Sequence, residues 1–210
     1  QLLVTFGIEI VHQPDASHFS MLETRFASPM VGEIYVRNAA MAAAAASFAG
    51  LSPNEILAGL ESFEGVARRQ ELRGEVNGIK VIDDFAHHPT AIETTLKGLR
   101  AAMQKQQSKG RLIAVIEARS NTMKMGYHQH TLAASVEAAD AVLWYKSAVT
   151  KLDLDAIAAA AKPEFLCMDN TEAMLVWLKA RVQSGDHVVI MSNGGFEGLH
   201  QRLLAALRQG

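Results

Sequence analysis

The sequence predicts an α/β fold, with a Rossmann-like, mostly parallel sheet that carries helices on both faces. From about residue 74 onward, apolar runs of strand length alternate with amphipathic helical patterns. Strand and helix in turn imply βαβ crossovers, which produce a largely parallel sheet. The 210 residues are 49% hydrophobic and 20% charged, which is ordinary for a globular protein able to bury a sizeable core.

The first 70 residues predict a smaller α+β piece. Its strand candidates are 2–11 and 30–35, with a turn over 14–17. The alanine-rich run over 37–48 has high helix propensity, and Gly50 marks its stop. Ser52 followed by Pro53 predicts an N-cap and a second helix to about residue 62. Two short helices and a few strands make a weak core, so we expect the last piece of a larger domain.

The remainder alternates regularly. The predicted strands are 74–83, 111–116, 141–145, 164–168 and 187–191. The predicted helices are 90–107, 128–138, 154–161, 171–181 and 196–208. The first strand is expected to begin as a hairpin, because Asn77-Gly78 is a strong two-residue turn signal. We therefore predict two domains, 1–70 and 71–210.

Composition excludes several classes of protein. The net charge is −2 and the basic residues are scattered, so no nucleic-acid surface is predicted. The longest apolar tract, 39–48, is too short to span a bilayer, which needs about 20 residues. A lone cysteine, Cys167, excludes an internal disulfide and suits a reducing, cytoplasmic compartment. Because the chain opens with Gln1 and not Met, we expect that its natural N-terminus is missing.

The run over 81–90 collects ionisable side chains between a predicted strand and a helix that opens with proline. Ligands of open α/β sheets bind in that crevice, where helix N-termini favour anions. Two adjacent aspartates repel a phosphate unless a cation separates them, so at least one is a magnesium or ribose contact. The alternative is an Asx turn that caps the helix, with histidines on a solvated loop. The four side chains are Asp83, Asp84, His87 and His88.

Three further runs accompany this one: Phe-Glu-Gly-Val-Ala-Arg-Arg-Gln-Glu over 63–71, Ile-Glu-Ala-Arg-Ser-Asn-Thr-Met-Lys-Met-Gly over 116–126, and Met-Ser-Asn-Gly-Gly-Phe-Glu-Gly-Leu-His over 191–200. Together the four runs resemble the Mur ligase family over most of residues 32–210. Members of this family use ATP to join an amino acid or peptide to a nucleotide-linked muramic acid. The part over 119–126 is specific to one branch, which attaches the recycled tripeptide L-alanyl-γ-D-glutamyl-meso-diaminopimelate to UDP-N-acetylmuramic acid.

The resemblance implies that residues 1–70 end a central ATPase domain and that residues 71–210 recognise the peptide. It implies ATP and Mg²⁺ as cofactors, held mainly by central-domain parts that this chain lacks. The partners would be the two substrates and the rest of the same polypeptide. Because no phosphate loop of the Gly-x-x-x-x-Gly-Lys-Ser/Thr type occurs, we expect this piece to be inactive alone.

The resemblance also assigns nucleotide contacts. Arg69 resembles the nucleotide-contacting arginine, and Asp84 resembles the acidic residue beside the same nucleotide. Asn38 matches a family asparagine, although Ile34-Tyr35 stands where His-Asn is usual. The alternative for the arginine pair is a surface role opposite nearby glutamates.

The resemblance implies that His87 and His88 are the catalytic candidates, because related ligases hold groups here near the transferred phosphoryl and the incoming amine. An imidazole can take the proton of an ammonium group or bind acyl-phosphate charge. A loop histidine is more often a positioning group, and this alternative stays open. No metal site is predicted from the residues: adjacent histidines and aspartates on one short loop seldom close a zinc tetrahedron.

The resemblance implies that two polar loops contact the peptide. The loop over 117–126 is cationic, and arginine clamps carboxylates bidentately. The run over 192–196 offers backbone N–H groups before the last helix, although two glycines after a strand are more often a tight turn. Ala118 and Glu197 stand where this branch has proline and glycine. The predicted contacts are Arg119, Ser120, Asn121, Lys124, Asn193 and Gly194.

Three rival functions remain: a Mur ligase that adds a single amino acid, of the UDP-N-acetylmuramate–L-alanine type, a non-catalytic nucleotide-binding α/β module, and a structural interaction domain. The favoured hypothesis requires that the cationic residues of 119–124 and the acidic pair at 83 and 84 lie at one end of the sheet.

Overall fold

The computed structural model describes residues 9–12, 17–21, 24–28, 33–119, 125 and 129–209. The chain divides into two compact units, residues 1–65 and 66–210. The sequence placed this division at 70/71. In the described part, no helix is both long and apolar enough to cross a membrane.

The first unit is a small antiparallel sheet packed on two helices. The strands are β1 (Glu9–His12), β2 (Ser17–Met21) and β3 (Thr24–Ser28), and the helices are α1 (Glu33–Phe48) and α2 (Pro53–Glu61). Phe19 and Phe26 stack at 5.3 Å in its core. Ser52 is the N-cap of α2, as the sequence predicted, and it also forms a capping box with Glu55. The strand predicted over 30–35 is wrong from Glu33 onward, because the helix of the alanine run extends back into these residues.

The second unit contains a six-stranded sheet. In chain order the strands are β4 (Glu71–Val76), β5 (Ile79–Asp84), β6 (Leu112–Glu117), β7 (Ala141–Tyr145), β8 (Glu164–Met168) and β9 (His187–Ser192). Across the sheet the order is β4-β5-β9-β6-β7-β8, and β4 alone is antiparallel to its neighbour. The hairpin predicted at Asn77-Gly78 is confirmed, since both residues have positive φ between β4 and β5.

Helices cover both faces of this sheet. They are α3 (Pro89–Lys105), α4 (Gln129–Ser135), α5 (Leu154–Ala160), α6 (Thr171–Arg181) and α7 (Leu199–Arg208). Side chains of α3, α4 and α5 join one buried cluster, and those of α6 and α7 join the cluster on the other face. The predicted fold, α/β with a mostly parallel sheet and helices on both faces, is confirmed. The last helix begins at Leu199 and not at 196, because Phe196 and Glu197 have positive φ and form a 3₁₀ turn with Gly198.

Candidate functional site

Three neighbouring parallel strands end together at one edge of the second unit's sheet, called here the carboxyl end. Asp84 of β5 lies in register with Met191 of β9, and Glu117 of β6 lies in register with Ser192. The loops that follow these strands therefore meet. This is where open α/β sheets bind their ligands.

Asp84 is enclosed by donors of its own chain. The side chain is buried, and its carboxylate accepts hydrogen bonds from Gln70 N at 2.8 Å, Ala86 N at 2.7 Å and Thr95 Oγ1 at 3.2 Å. Burial raises the pKa of Asp84 above its ordinary value, and these hydrogen bonds oppose that rise. Asp84 thus anchors the segment that carries Arg69.

Arg69 is exposed beside this anchor. Its guanidinium carbon lies 5.6 Å from the centroid of the Phe85 ring, and its charge stabilises the ionised Asp84. Its two neighbours, Arg68 and Gln70, have φ values of 59° and 50°, an uncommon conformation for residues with a side chain. The segment therefore presents one exposed arginine from a fixed backbone.

Asp83 faces a different set of partners. It is 3% exposed, and its carboxylate lies 3.4 Å from Arg68 Nε and 3.9 Å from His200 Nε2. Burial lowers the pKa of His200, and the Asp83 charge opposes that change. The Nδ1 atom of His200 is buried without a hydrogen-bond partner among the described residues. No sequence argument singled out His200, although it closes the run over 191–200.

The two catalytic candidates have different geometries. His87 Nδ1 lies 2.9 Å from the carbonyl oxygen of Phe85, and its ring meets the Phe85 ring edge to face at 5.5 Å. If Nδ1 carries the proton of this hydrogen bond, Nε2 of the neutral ring is an acceptor. His88 is the N-cap residue of α3, where its carbonyl accepts from Ile92 N.

Arg119 lies over the loop after β9. Ser192 Oγ donates to Glu117 Oε2 at 2.6 Å and accepts from Gly194 N at 2.9 Å. Arg119 Nε lies 3.9 Å from Glu117 Oε1. A Cβ atom on Gly194 would lie 2.8 Å from Arg119 Cδ, so the close approach of this side chain requires glycine.

A polar pocket of about 340 Å³ opens beside these groups. Its wall includes Glu197, which has a φ of 49° and accepts a 2.5 Å hydrogen bond from Thr171 Oγ1. One guanidinium and two carboxylates line it, which suits a ligand that carries both carboxylate and ammonium groups. The lining residues are Glu117, Ala118, Arg119, Tyr145, Ser147 and Glu197.

The remaining predicted residues are placed as follows. Asn193 follows β9, and its Oδ1 is buried without a hydrogen-bond partner among the described residues. Asn38 is exposed on α1 of the first unit. Ser120, Asn121 and Lys124 lie outside the described residues. Within the described ranges, no group of three or more His, Cys, Asp and Glu side chains is arranged to hold a metal ion.

A chain of contacts links Arg119 with the acidic pair. Arg119 packs on Gly194, the Gly194 carbonyl accepts from Arg68 Nη2, and Arg68 Nε lies against Asp83. Arg119 and the acidic pair therefore lie at the same end of the sheet, as the favoured hypothesis requires.

Several known proteins are similar to this chain in sequence, in fold or in both. Residues 68–194 match the family model described as Mur ligase, glutamate ligase domain. The chain is 43% identical over 178 residues to a UDP-N-acetylmuramate–L-alanyl-γ-D-glutamyl-meso-2,6-diaminoheptandioate ligase of Escherichia coli K12, covering 85% of this chain and 38% of that protein. It is 40% identical to a murein peptide ligase structure from Psychrobacter arcticus, with a TM-score of 0.72 over 95% of this chain and 43% of that one. A MurF ligase of Thermotoga maritima in complex with ADP shares the fold alone, with 18% identity and a TM-score of 0.65 over 96% of this chain and 45% of that one.

Proposed function

The chain belongs to the Mur ligase family, and we propose that it is the C-terminal portion of an ATP-dependent ligase that joins L-alanyl-γ-D-glutamyl-meso-diaminopimelate to UDP-N-acetylmuramic acid. Relatives 43% and 40% identical to it bear the names of this branch. The chain spans 38% and 43% of their lengths. The activity is therefore proposed for the whole ligase, in peptidoglycan recycling, and we expect the chain alone to be inactive.

The observation that carries this proposal is the pairing of Arg119 with Glu117 at the pocket. The tripeptide bears three carboxylates and a free amino group at its far end. A guanidinium clamps a carboxylate with two parallel hydrogen bonds, and a carboxylate accepts from an ammonium group. Arg119 is 55% exposed and available to such a ligand, while Ser192 holds Glu117 in place. Ser120, Asn121, Lys124, Asn193 and Gly194 belong to the same proposed peptide site.

The proposed nucleotide contacts centre on Arg69. Its exposed guanidinium fits a phosphate or ribose oxygen, whereas the neighbouring aspartates face donors of their own chain. Asp84 would act by fixing the Arg69 segment through Gln70 N. Asn38 remains a proposed nucleotide contact. In the whole ligase, ATP would supply the phosphoryl group that activates the muramyl carboxylate, and central-domain residues would hold most of the Mg²⁺.

We assign the proposed proton-accepting role to His87 before His88. Its Nδ1 contact with the Phe85 carbonyl orients the ring and leaves Nε2 able to accept a proton from the alanyl ammonium group. The amine would then attack the carbonyl carbon of the muramyl acyl phosphate, and the amide would form as the bond to the phosphate oxygen breaks and inorganic phosphate leaves. His88, as the N-cap residue of α3, is better placed to fix the start of that helix.

The test is an acceptor comparison in the full-length ligase, with ADP release as the measurement. The proposal predicts ADP release that depends on the tripeptide and UDP-N-acetylmuramic acid and is far slower with free L-alanine. Equal rates with L-alanine would favour the single-amino-acid ligase. Tight ATP binding by the 210-residue chain with no peptide present would favour the nucleotide-binding module.

A further inference from the structure

We infer that Arg68, the neighbour of the proposed nucleotide contact Arg69, is a positioning residue for the peptide pocket. It would act by holding the Gly194 loop under Arg119. This inference rests on the proposed function and deepens it, because it connects the nucleotide segment over 68–70 with the loop that faces the peptide.

The guanidinium of Arg68 joins three points at the carboxyl end of the sheet. Its Nη2 donates to the carbonyl oxygens of Ser192 at 2.6 Å and Gly194 at 2.7 Å. Its Nε lies 3.4 Å from Asp83 Oδ2. One planar side chain thus fixes two carbonyl groups after β9 relative to the last residues of β5. A lysine carries one compact ammonium group and cannot reproduce this fork.

The backbone of Arg68 is fixed as firmly as its side chain. Its N–H donates to Glu71 Oε2 at 2.8 Å, and its carbonyl accepts from Phe85 N at 2.8 Å. Its guanidinium carbon lies 5.2 Å from the Phe85 ring centroid. The left-handed φ of 59° persists because the surroundings determine it on every side. Such conformations cluster at ligand clamps.

Gly194 transmits this constraint to the pocket. Its carbonyl is bound by Arg68, its N–H is bound by Ser192 Oγ, and its Cα side is covered by Arg119. The same Ser192 hydroxyl donates to Glu117. Loss of the Arg68 contact would release the surface on which Arg119 lies and loosen the support of Glu117. Both charged groups proposed to bind the peptide therefore depend on Arg68.

The test uses steady-state kinetics of the full-length ligase for the wild type, R68A, R68K, R119A and the double variant R68A/R119A. R68A is expected to raise the tripeptide KM roughly tenfold to a hundredfold, as a displaced positioning group does. Because Arg68 acts through the groups that it positions, Arg119 among them, the double variant should be no worse than the poorer single variant. R68K should recover the melting temperature, since its charge still faces Asp83, but not the tripeptide KM.

Arg181→Ala is the matched control. This arginine forms an exposed ion pair with Glu164 on the far side of the fold, and its loss should leave the tripeptide KM unchanged. A tripeptide KM in R68A and R68K within about twofold of the wild type would overturn the inference, as would independent, multiplicative effects of R68A and R119A. If R68A does not fold, R68K decides the question. A wild-type ligase without tripeptide-dependent turnover would overturn the proposed function itself.

Discussion

Buried polar groups at the two ends of the six-stranded sheet differ in how many hydrogen-bond partners they have. At the amino end, the Asp186 carboxylate accepts from Arg111 Nη2 at 2.6 Å, Arg111 N at 2.8 Å and Gln183 N at 3.0 Å. At the carboxyl end, His200 Nδ1 and Asn193 Oδ1 are buried without hydrogen-bond partners among the described residues. Unsatisfied buried groups are rare and call for an explanation. The Asp186 carboxylate is satisfied within the chain, whereas these two polar atoms are not satisfied by the described residues, which agrees with the proposed ligand site at the carboxyl end.

The backbone shows the same contrast. Of the six non-glycine residues with positive φ in the described ranges, Asn77 and Gln107 follow ordinary turn and helix-end geometry. The other four flank the candidate site. Strain of this kind is tolerated where the surroundings fix it and where function benefits. These four residues are Arg68, Gln70, Phe196 and Glu197.

The largest expected effect is a loss of stability caused by a substitution at the amino end of the sheet. Asp186→Ala leaves the Arg111 guanidinium and two backbone N–H groups without their acceptor, so it should lower the free energy of unfolding by about 2–4 kcal/mol. Asp83→Ala, the matched change at the carboxyl end, should cost less, because the contacts of Asp83 with Arg68 and His200, its charged partners among the described residues, are longer. Urea unfolding followed by tryptophan fluorescence measures both, since Trp144 and Trp177 lie in the second unit. Equal losses would contradict the contrast between the ends.

The next effect concerns the peptide site. Arg119→Ala in the full-length ligase removes a bidentate donor for a carboxylate, which is worth about 1.5–3 kcal/mol, or roughly tenfold to a hundredfold in the tripeptide KM. The ATP KM should change far less, because Arg119 lies on the pocket and not on the 68–70 segment. An equal rise in the KM values for the tripeptide and for ATP would contradict the placement of Arg119 at the peptide site.

The pH dependence of stability sharpens the comparison, because a buried histidine lies at the amino end and a partly buried one at the carboxyl end. Burial lowers the pKa of His187 at the amino end and of His200 at the carboxyl end below the ordinary 6.5. The unfolded chain therefore binds more protons between each lowered pKa and 6.5, and stability falls as the pH decreases through that window. His187→Gln and His200→Gln should each reduce this loss in unfolding experiments at successive pH values. A loss that stays unchanged in both variants would show that these rings are not its source.

The smallest effect is expected at Glu197. Glycine at this left-handed position relieves strain of about 1 kcal/mol, but E197G also loses the hydrogen bond from Thr171. The two changes offset, so the free energy of unfolding should stay within about 1 kcal/mol of the wild type. Urea unfolding tests this balance. A loss above about 2 kcal/mol would show that Glu197 holds the 3₁₀ turn more strongly than the contacts suggest.

The spacing of apolar residues predicted the order of strands and helices in the second unit, because apolar residues recur at different intervals along a strand and along a helix. The predicted bounds of β7, β8 and α6 match the structure residue for residue. The start of the last helix was missed because the positive φ of Phe196 and Glu197 depends on packing and on the Thr171 contact. The helix propensity of the alanine-rich run predicted α1 over 37–48, but it did not predict that the helix begins at Glu33.

Residue type and spacing alone do not distinguish the adjacent identical residues at the site, and only family resemblance singled out Arg69 and Asp84. Asp83 and Asp84 differ only in their tertiary partners, and so do the neighbouring Arg68 and Arg69. Family resemblance favoured Arg69 for the nucleotide, but no pattern in the residues predicted that Arg68 would bind the loop after β9. His200 was missed for the same reason, since its proximity to Asp83 joins residues far apart in the chain.

The most direct test of the central claim is ligand-observed NMR with the 210-residue chain and L-alanyl-γ-D-glutamyl-meso-diaminopimelate. The account predicts saturable binding that is lost in Arg119→Ala and kept in Arg181→Ala. No binding to the folded wild-type chain, or equal binding by the Arg119 variant, would contradict a peptide site at the carboxyl end of this sheet.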